Sequence, residues 1–138
     1  VIRCIVGSLS PKSPRAGERW LALTAVAWGV WLLLPLNTFG AGLANTLLAQ
    51  LATEELWGLL GVTWGALAYG ASCGRWPRLR VLMHVVLTIL WIFLAGVTMS
   101  VSAASSGVLY LMLGLHQAVY LYESILDWRG GVWKANRT

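Results

Sequence analysis

Four stretches of the chain are apolar almost without a break: residues 20–36, 56–73, 81–100 and 107–126. Each has the length a helix needs to cross a bilayer, ~17–25 residues. The only acidic residue inside them is Glu123, close to an end. None shows the alternation of a strand. In hydrocarbon every backbone amide needs an internal partner, so such stretches should be helices. The pattern predicts an all-α integral membrane protein, an up-and-down bundle of four transmembrane helices in one domain over 1–138. Pro77, in the connector "GRWPRLR", should interrupt any continuous helix there. After Pro35, Leu43, Leu47, Leu48 and Leu51 recur at helical spacing. They suit either a short helix lying on the membrane surface or an early start to the second span. "SVSAASS" reads as a short turn. No linker to a second domain and no internal repeat stands out.

Composition agrees with lipid as the solvent. Hydrophobic residues make up 58% of the 138 residues and charged residues 11%, against roughly 25% charged in ordinary soluble domains. Nine tryptophans fit a chain that meets headgroups, where indole is favoured. The net charge of +5 would suggest nucleic acid in a soluble protein, but the positions of the charges explain it otherwise. Arg3, Lys12, Arg15 and Arg19 precede the first span. Arg75, Arg78 and Arg80 form a basic turn between the second and third. Arg129, Lys134 and Arg137 follow the fourth. The other two connections, 37–55 and 101–106, carry no Lys or Arg. Since cytoplasmic loops concentrate Lys and Arg, the expected topology puts both termini inside, with 1–19 and 127–138 as basic cytoplasmic segments. The expected location is a bacterial inner membrane. A signal peptide cut after Ala44 is the competing reading of the first span, but the apolar run exceeds the usual ~7–15-residue core of such signals. An opening Val suits a fragment or a GTG start, the latter pointing to a bacterial or phage gene.

Small residues supply a packing seam. Gly58, Gly61, Gly65, Ala68 and Ser72 are spaced three, four, three, four. That is the repeat of left-handed helix packing, and small side chains allow the close approach on which association in lipid depends. Ala22, Ala25 and Gly29 share the spacing on the first span, and Gly107, Gly114 and Ala118 lie on the fourth. The seam serves either packing within one bundle or joining of copies.

Polar groups within the spans are the candidate chemistry, because ionisable side chains at membrane depth are costly and often functional. On the fourth span His116, Tyr120, Glu123 and Asp127 share a face, flanked by Gln117 and Ser124. His84 lies one turn after Arg80 on the third. Glu123 is expected at the depth of His84 and Arg80 and so able to pair with either. The bland alternative is a polar rim that fixes register. The histidines differ in depth by roughly 10 Å at ~1.5 Å per residue, which argues against a shared haem. Cys4 and Cys73 form no pair or metal motif, and no catalytic signature appears. No cofactor, metal or nucleic acid is expected, and no enzymatic activity.

The blocks around Glu55, Trp57 and Gly58, around Gly74, Arg75, Trp76, Leu79 and Arg80, and around Ser106, Gly107 and Tyr110 resemble small multi-span membrane proteins encoded by tailed bacteriophages. The resemblance covers residues 54–129 and carries no functional residue. The resembled group has no established activity. The first functional expectation, from the glycine seam, is a non-enzymatic, phage- or bacteria-encoded protein acting by helix association in the host inner membrane, holin-like at its most concrete. The partners would be the bilayer and either copies of itself or a host membrane protein. The alternatives are a small transporter or proton-conducting subunit using the polar face, and a structural or host-interaction membrane protein.

Overall fold

The computed structural model describes residues 15–35, 43–74, 76–101 and 105–135, and their side chains except at 43–46, 101, 105, 106 and 131–135. Arg3, Cys4, Lys12, Arg75 and Arg137 therefore lie outside the described residues, as does the side chain of Lys134. Five helices follow one another among the described residues: α1 (Ala16–Leu33), α2 (Leu43–Leu51), α3 (Glu54–Cys73), α4 (Pro77–Val101) and α5 (Ser105–Ala135). Local chemistry sets their ends. Leu34, which precedes Pro35, is extended at φ −73° and ψ 144°, because a following proline disfavours the helical conformation. Pro77 opens α4, a first-turn position where its missing N–H costs nothing. Thr53 caps α3, its hydroxyl accepting from the Leu56 amide at 3.4 Å. Glu54 and Glu55 occupy the first turn of α3, where the helix dipole favours negative charge. The helix's own amide at Glu55, and then the Thr53 hydroxyl, hold the Glu55 carboxyl below its ordinary range.

One open reading is decided and one expectation changes. α2 is a separate helix, not an early start to α3. It closes over one end of the bundle, with Leu48 buried and the Leu48 carbonyl accepting the Trp57 indole N–H at 3.1 Å. α5 does not stop near 126 but runs to Ala135. Gly130 and Gly131 weaken it by about 1 kcal/mol each relative to alanine, but glycine leaves the hydrogen-bond ladder intact and no proline intervenes.

The helices form two close antiparallel pairs, α1 with α3 and α4 with α5, with fewer contacts between the pairs. The predicted seam makes the first pair. Gly58, Gly61, Gly65, Ala68 and Ser72 are all buried, and Ala22, Ala25 and Gly29 of α1 lie against them. A methyl group added at Gly61 would sit 2.9 Å from the Gly29 Cα, and one at Gly65 would sit 2.8 Å from the Ala22 carbonyl oxygen. Backbone meets backbone there, and nothing can move aside. The seam is thus filled from within the chain and leaves no groove for a second copy. Gly107 and Gly114 do similar work in the second pair, facing Met99 and Ile92. Between the pairs lies the core, centred on Leu87, Trp91 and Leu94. Trp28 meets Trp91 edge-on at 5.7 Å, and Tyr110 stacks on Trp91 at 5.9 Å.

The outer faces are apolar. Trp31, Leu59, Ile89, Phe93, Leu109 and Met112 are among many large side chains turned outward. By length and composition, however, one helix among the described residues is long and apolar enough to cross a membrane, Pro77–Ser100. This is narrower than the four spans expected. Glycine, tryptophan, histidine and glutamine lower the hydropathy of α3 and α5, and α1 carries Glu18 and Arg19 near its start.

Replacing Gly61 with isoleucine should cost at least about 1–3 kcal/mol through overpacking, without altering cross-linking between copies. Gly70 has open space at its Cβ position, so Gly70→Ala should be neutral or stabilise by up to about 1 kcal/mol. Unfolding and cross-linking in detergent would check both.

Candidate functional site

One end of the bundle gathers the basic residues Arg15, Arg19, Arg78 and Arg129, and just inside it sits a buried polar cluster. Three helices build it. The register of α1 that places Ala22, Ala25 and Gly29 inward also turns Glu18 inward, leaving it 4% exposed. On α4, Arg80 and His84 are one turn apart on the buried face, each 2% exposed. On α5, Gln117 and Ser124 are fully buried, because the seven-residue repeat through Gly107 and Gly114 puts them on the face that meets α4.

Arg80 is the hub. Its Nη2 donates to Asp127 Oδ2 at 2.7 Å, and its Nε donates to Ser124 Oγ at 3.1 Å. Glu18 Oε2 lies 3.8 Å from the same Nε. The Asp127 side chain is itself 62% exposed, so this ion pair reaches from the interior to the surface. His84 stands beside the hub. Gln117 Nε2 donates to His84 Nδ1 at 2.6 Å. On the other side of the ring, Nε2 faces Glu18 Oε2 at 3.4 Å. That separation is within ion-pair range, but the alignment falls short of a hydrogen bond. Glu18 Oε2, His84 Nε2 and Gln117 Oε1 are all buried without a hydrogen-bond partner.

The charge balance is informative. Asp127 is largely exposed, so the buried charges are Glu18 and Arg80, one of each sign, and Arg15 lines the cleft beside Glu18.

A cleft of about 390 Å³, lined by Arg15, Glu18, Glu123, Leu126 and Asp127, opens at this end and reaches Glu18. On the inner side of the cluster the path closes on Leu87, Trp91 and Leu94, all fully buried. The Trp28 indole donates to the Tyr110 hydroxyl there at 3.3 Å. Among the described residues no three His, Cys, Asp or Glu side chains group to hold a metal ion.

The sequence-predicted residues divide. His84 and Asp127 belong to the cluster. Tyr120 is half-buried, its hydroxyl against Gly17 of α1. His116 and Glu123 are exposed, and Glu123 lines the cleft mouth rather than pairing with Arg80 or His84. The rotation of α5 explains this. Its inward face is set by Gly107, Gly114, Gln117 and Ser124, one position on from Glu123. Arg78 is exposed as a basic turn requires, whereas Arg80 is not a surface charge at all. Glu18 was missed because it precedes the first apolar run, although its spacing to Ala22, Ala25 and Gly29 marks it as part of the same face.

Arg80→Leu would leave Glu18 and Asp127 without their common partner and should destabilise the fold by about 3–5 kcal/mol. The double variant Arg80→Leu/Glu18→Leu should recover part of that loss, as denaturant titration in detergent would show. The chain matches no protein-family model, no curated protein and no solved structure.

Proposed function

We propose that this chain is a non-enzymatic four-span membrane protein of the bacterial inner membrane, both termini cytoplasmic, that binds and releases protons at the Glu18–His84 pair. It would act as a small transporter or proton-conducting subunit. One observation carries the reading: a carboxylate and an imidazole face each other at 3.4 Å, buried, short of hydrogen-bond partners, at the end of a cleft. Ionisable groups in such surroundings mark proton or ion paths in membrane proteins. The outward apolar faces of α1, α3, α4 and α5 support lipid as the surroundings, since exposed apolar area on this scale would drive a water-borne monomer to associate. The basic residues at one end support a cytoplasmic placement for that end. Holin-like assembly through Gly58, Gly61 and Gly65 is less well supported, because α1 fills that seam.

Reconstituted into liposomes, the protein should dissipate an imposed pH gradient faster than empty vesicles do. Glu18→Gln should bring the rate to the empty-vesicle level. His116→Ala, on the outer face, should leave it unchanged. A wild-type rate equal to that of empty vesicles would overturn the proposal. Protease added to unbroken spheroplasts should spare a tag placed at the C-terminus, and digestion of that tag would overturn the topology.

A further inference from the structure

Two groups of the pair could take the proton, and the neighbour of one of them discriminates between the two. Gln117 is fully buried, and its Nε2, which can only donate, lies 2.6 Å from His84 Nδ1. Nδ1 must therefore be the accepting, unprotonated nitrogen. A neutral imidazole carries one proton, and with Nδ1 bare that proton sits on Nε2, which is the nitrogen facing Glu18. Resting on the proton-handling reading, we infer that Gln117 is a positioning residue: it holds His84 as a neutral Nε2–H donor and so assigns the exchangeable proton to Glu18.

Charged neighbours face the pair from several elements, and Arg15 of the segment before α1 lines the same cleft as Glu18. To become an imidazolium, His84 would have to gain its second proton on Nδ1, against the donor hydrogens of Gln117. Arg80, one turn away on the same face of α4, is a permanent cation. Glu18 from α1 is the facing carboxylate, and Asp127 from α5 is already committed to Arg80 at 2.7 Å. α3 brings no Asp, Glu, Lys, Arg or His inward of Glu55. Glu18 also lines the cleft, so a proton from water can reach it directly. The step is then simple. A hydronium in the cleft gives its proton to a Glu18 carboxylate oxygen and leaves as water. On release the proton returns to water, and the His84 Nε2–H faces the restored carboxylate.

The chain has two histidines, so nitrogen NMR of the full protein in bicelles, with its histidines labelled, can read them separately once His116→Ala has identified one set of signals. His84 should show a protonated Nε2 and a bare Nδ1. As the pH falls, a carboxylic-acid infrared band absent from Glu18→Gln should rise while these ring signals stay unchanged. In Gln117→Glu the new carboxylate can only accept, and the ring proton should move to Nδ1. A wild-type His84 that is protonated at Nδ1, or that gains a second proton before the Glu18 band rises, would overturn the inference while leaving proton flux intact. A wild-type protein with the expected ring signals but no flux and no Glu18 band would instead sink the reading beneath it. The wild-type spectrum decides even if Gln117→Glu fails to fold.

Discussion

A guanidinium that water scarcely reaches must be matched by its neighbours, and the arrangement of this protein follows from how Arg80 is matched. No single element does it. α5 supplies the Asp127 carboxylate and the Ser124 hydroxyl, and α1 supplies Glu18. Removing water from these charges costs several kcal/mol for each ion, which their mutual attraction offsets only if all three helices stay in register. The cluster therefore ties the α1–α3 pair to the α4–α5 pair at the end where they would otherwise meet only through side-chain packing.

The two kinds of contact have different mechanical characters. Within each pair, glycine and alanine bring backbones so close that sliding or rotation would create overlap at once, as at Gly29 and Gly61. Between the pairs the contacts are larger and fewer, made by Trp28, Trp91, Leu87 and Leu94. These side chains can repack without moving a backbone. The joint between the pairs is thus the softer one, and it is also where the Glu18 carboxylate sits. A change of charge at Glu18 alters the attraction across this joint and leaves the interiors of the pairs untouched.

Much of this was legible in the residues. The helices and their antiparallel order followed from apolar run length and from where the arginines fall, and the Gly58–Ser72 seam followed from spacing alone. Pro77 marked the start of α4. Spacing does not say which neighbour fills a seam, and α1 was the one that did. The facing side of α5 was read one position off, because His116 and Glu123 are chemically conspicuous whereas the buried positions are held by Gln117, Ser124 and two glycines. Charge near a span end reads as a solvated flank, which concealed Glu18 and the depth of Arg80. Four spans were expected where length and composition single out one helix, Pro77–Ser100, because run length was read without weighing how far tryptophan and glycine lower the hydropathy of the others.

The cluster stands near the start of two of the helices that build it: Glu18 is in the first turn of α1, and Arg80 is the fourth residue of α4. For a membrane-spanning bundle this position has an electrical meaning. Carrying one elementary charge across the whole bilayer is worth about 2.3 kcal/mol per 100 mV, but a proton arriving at Glu18 traverses only a sliver of that drop. Its occupancy would follow the acidity of the adjoining compartment and be nearly blind to voltage. Membrane potential would act instead on whatever displacement carries charge past the Trp28–Trp91–Tyr110 stack.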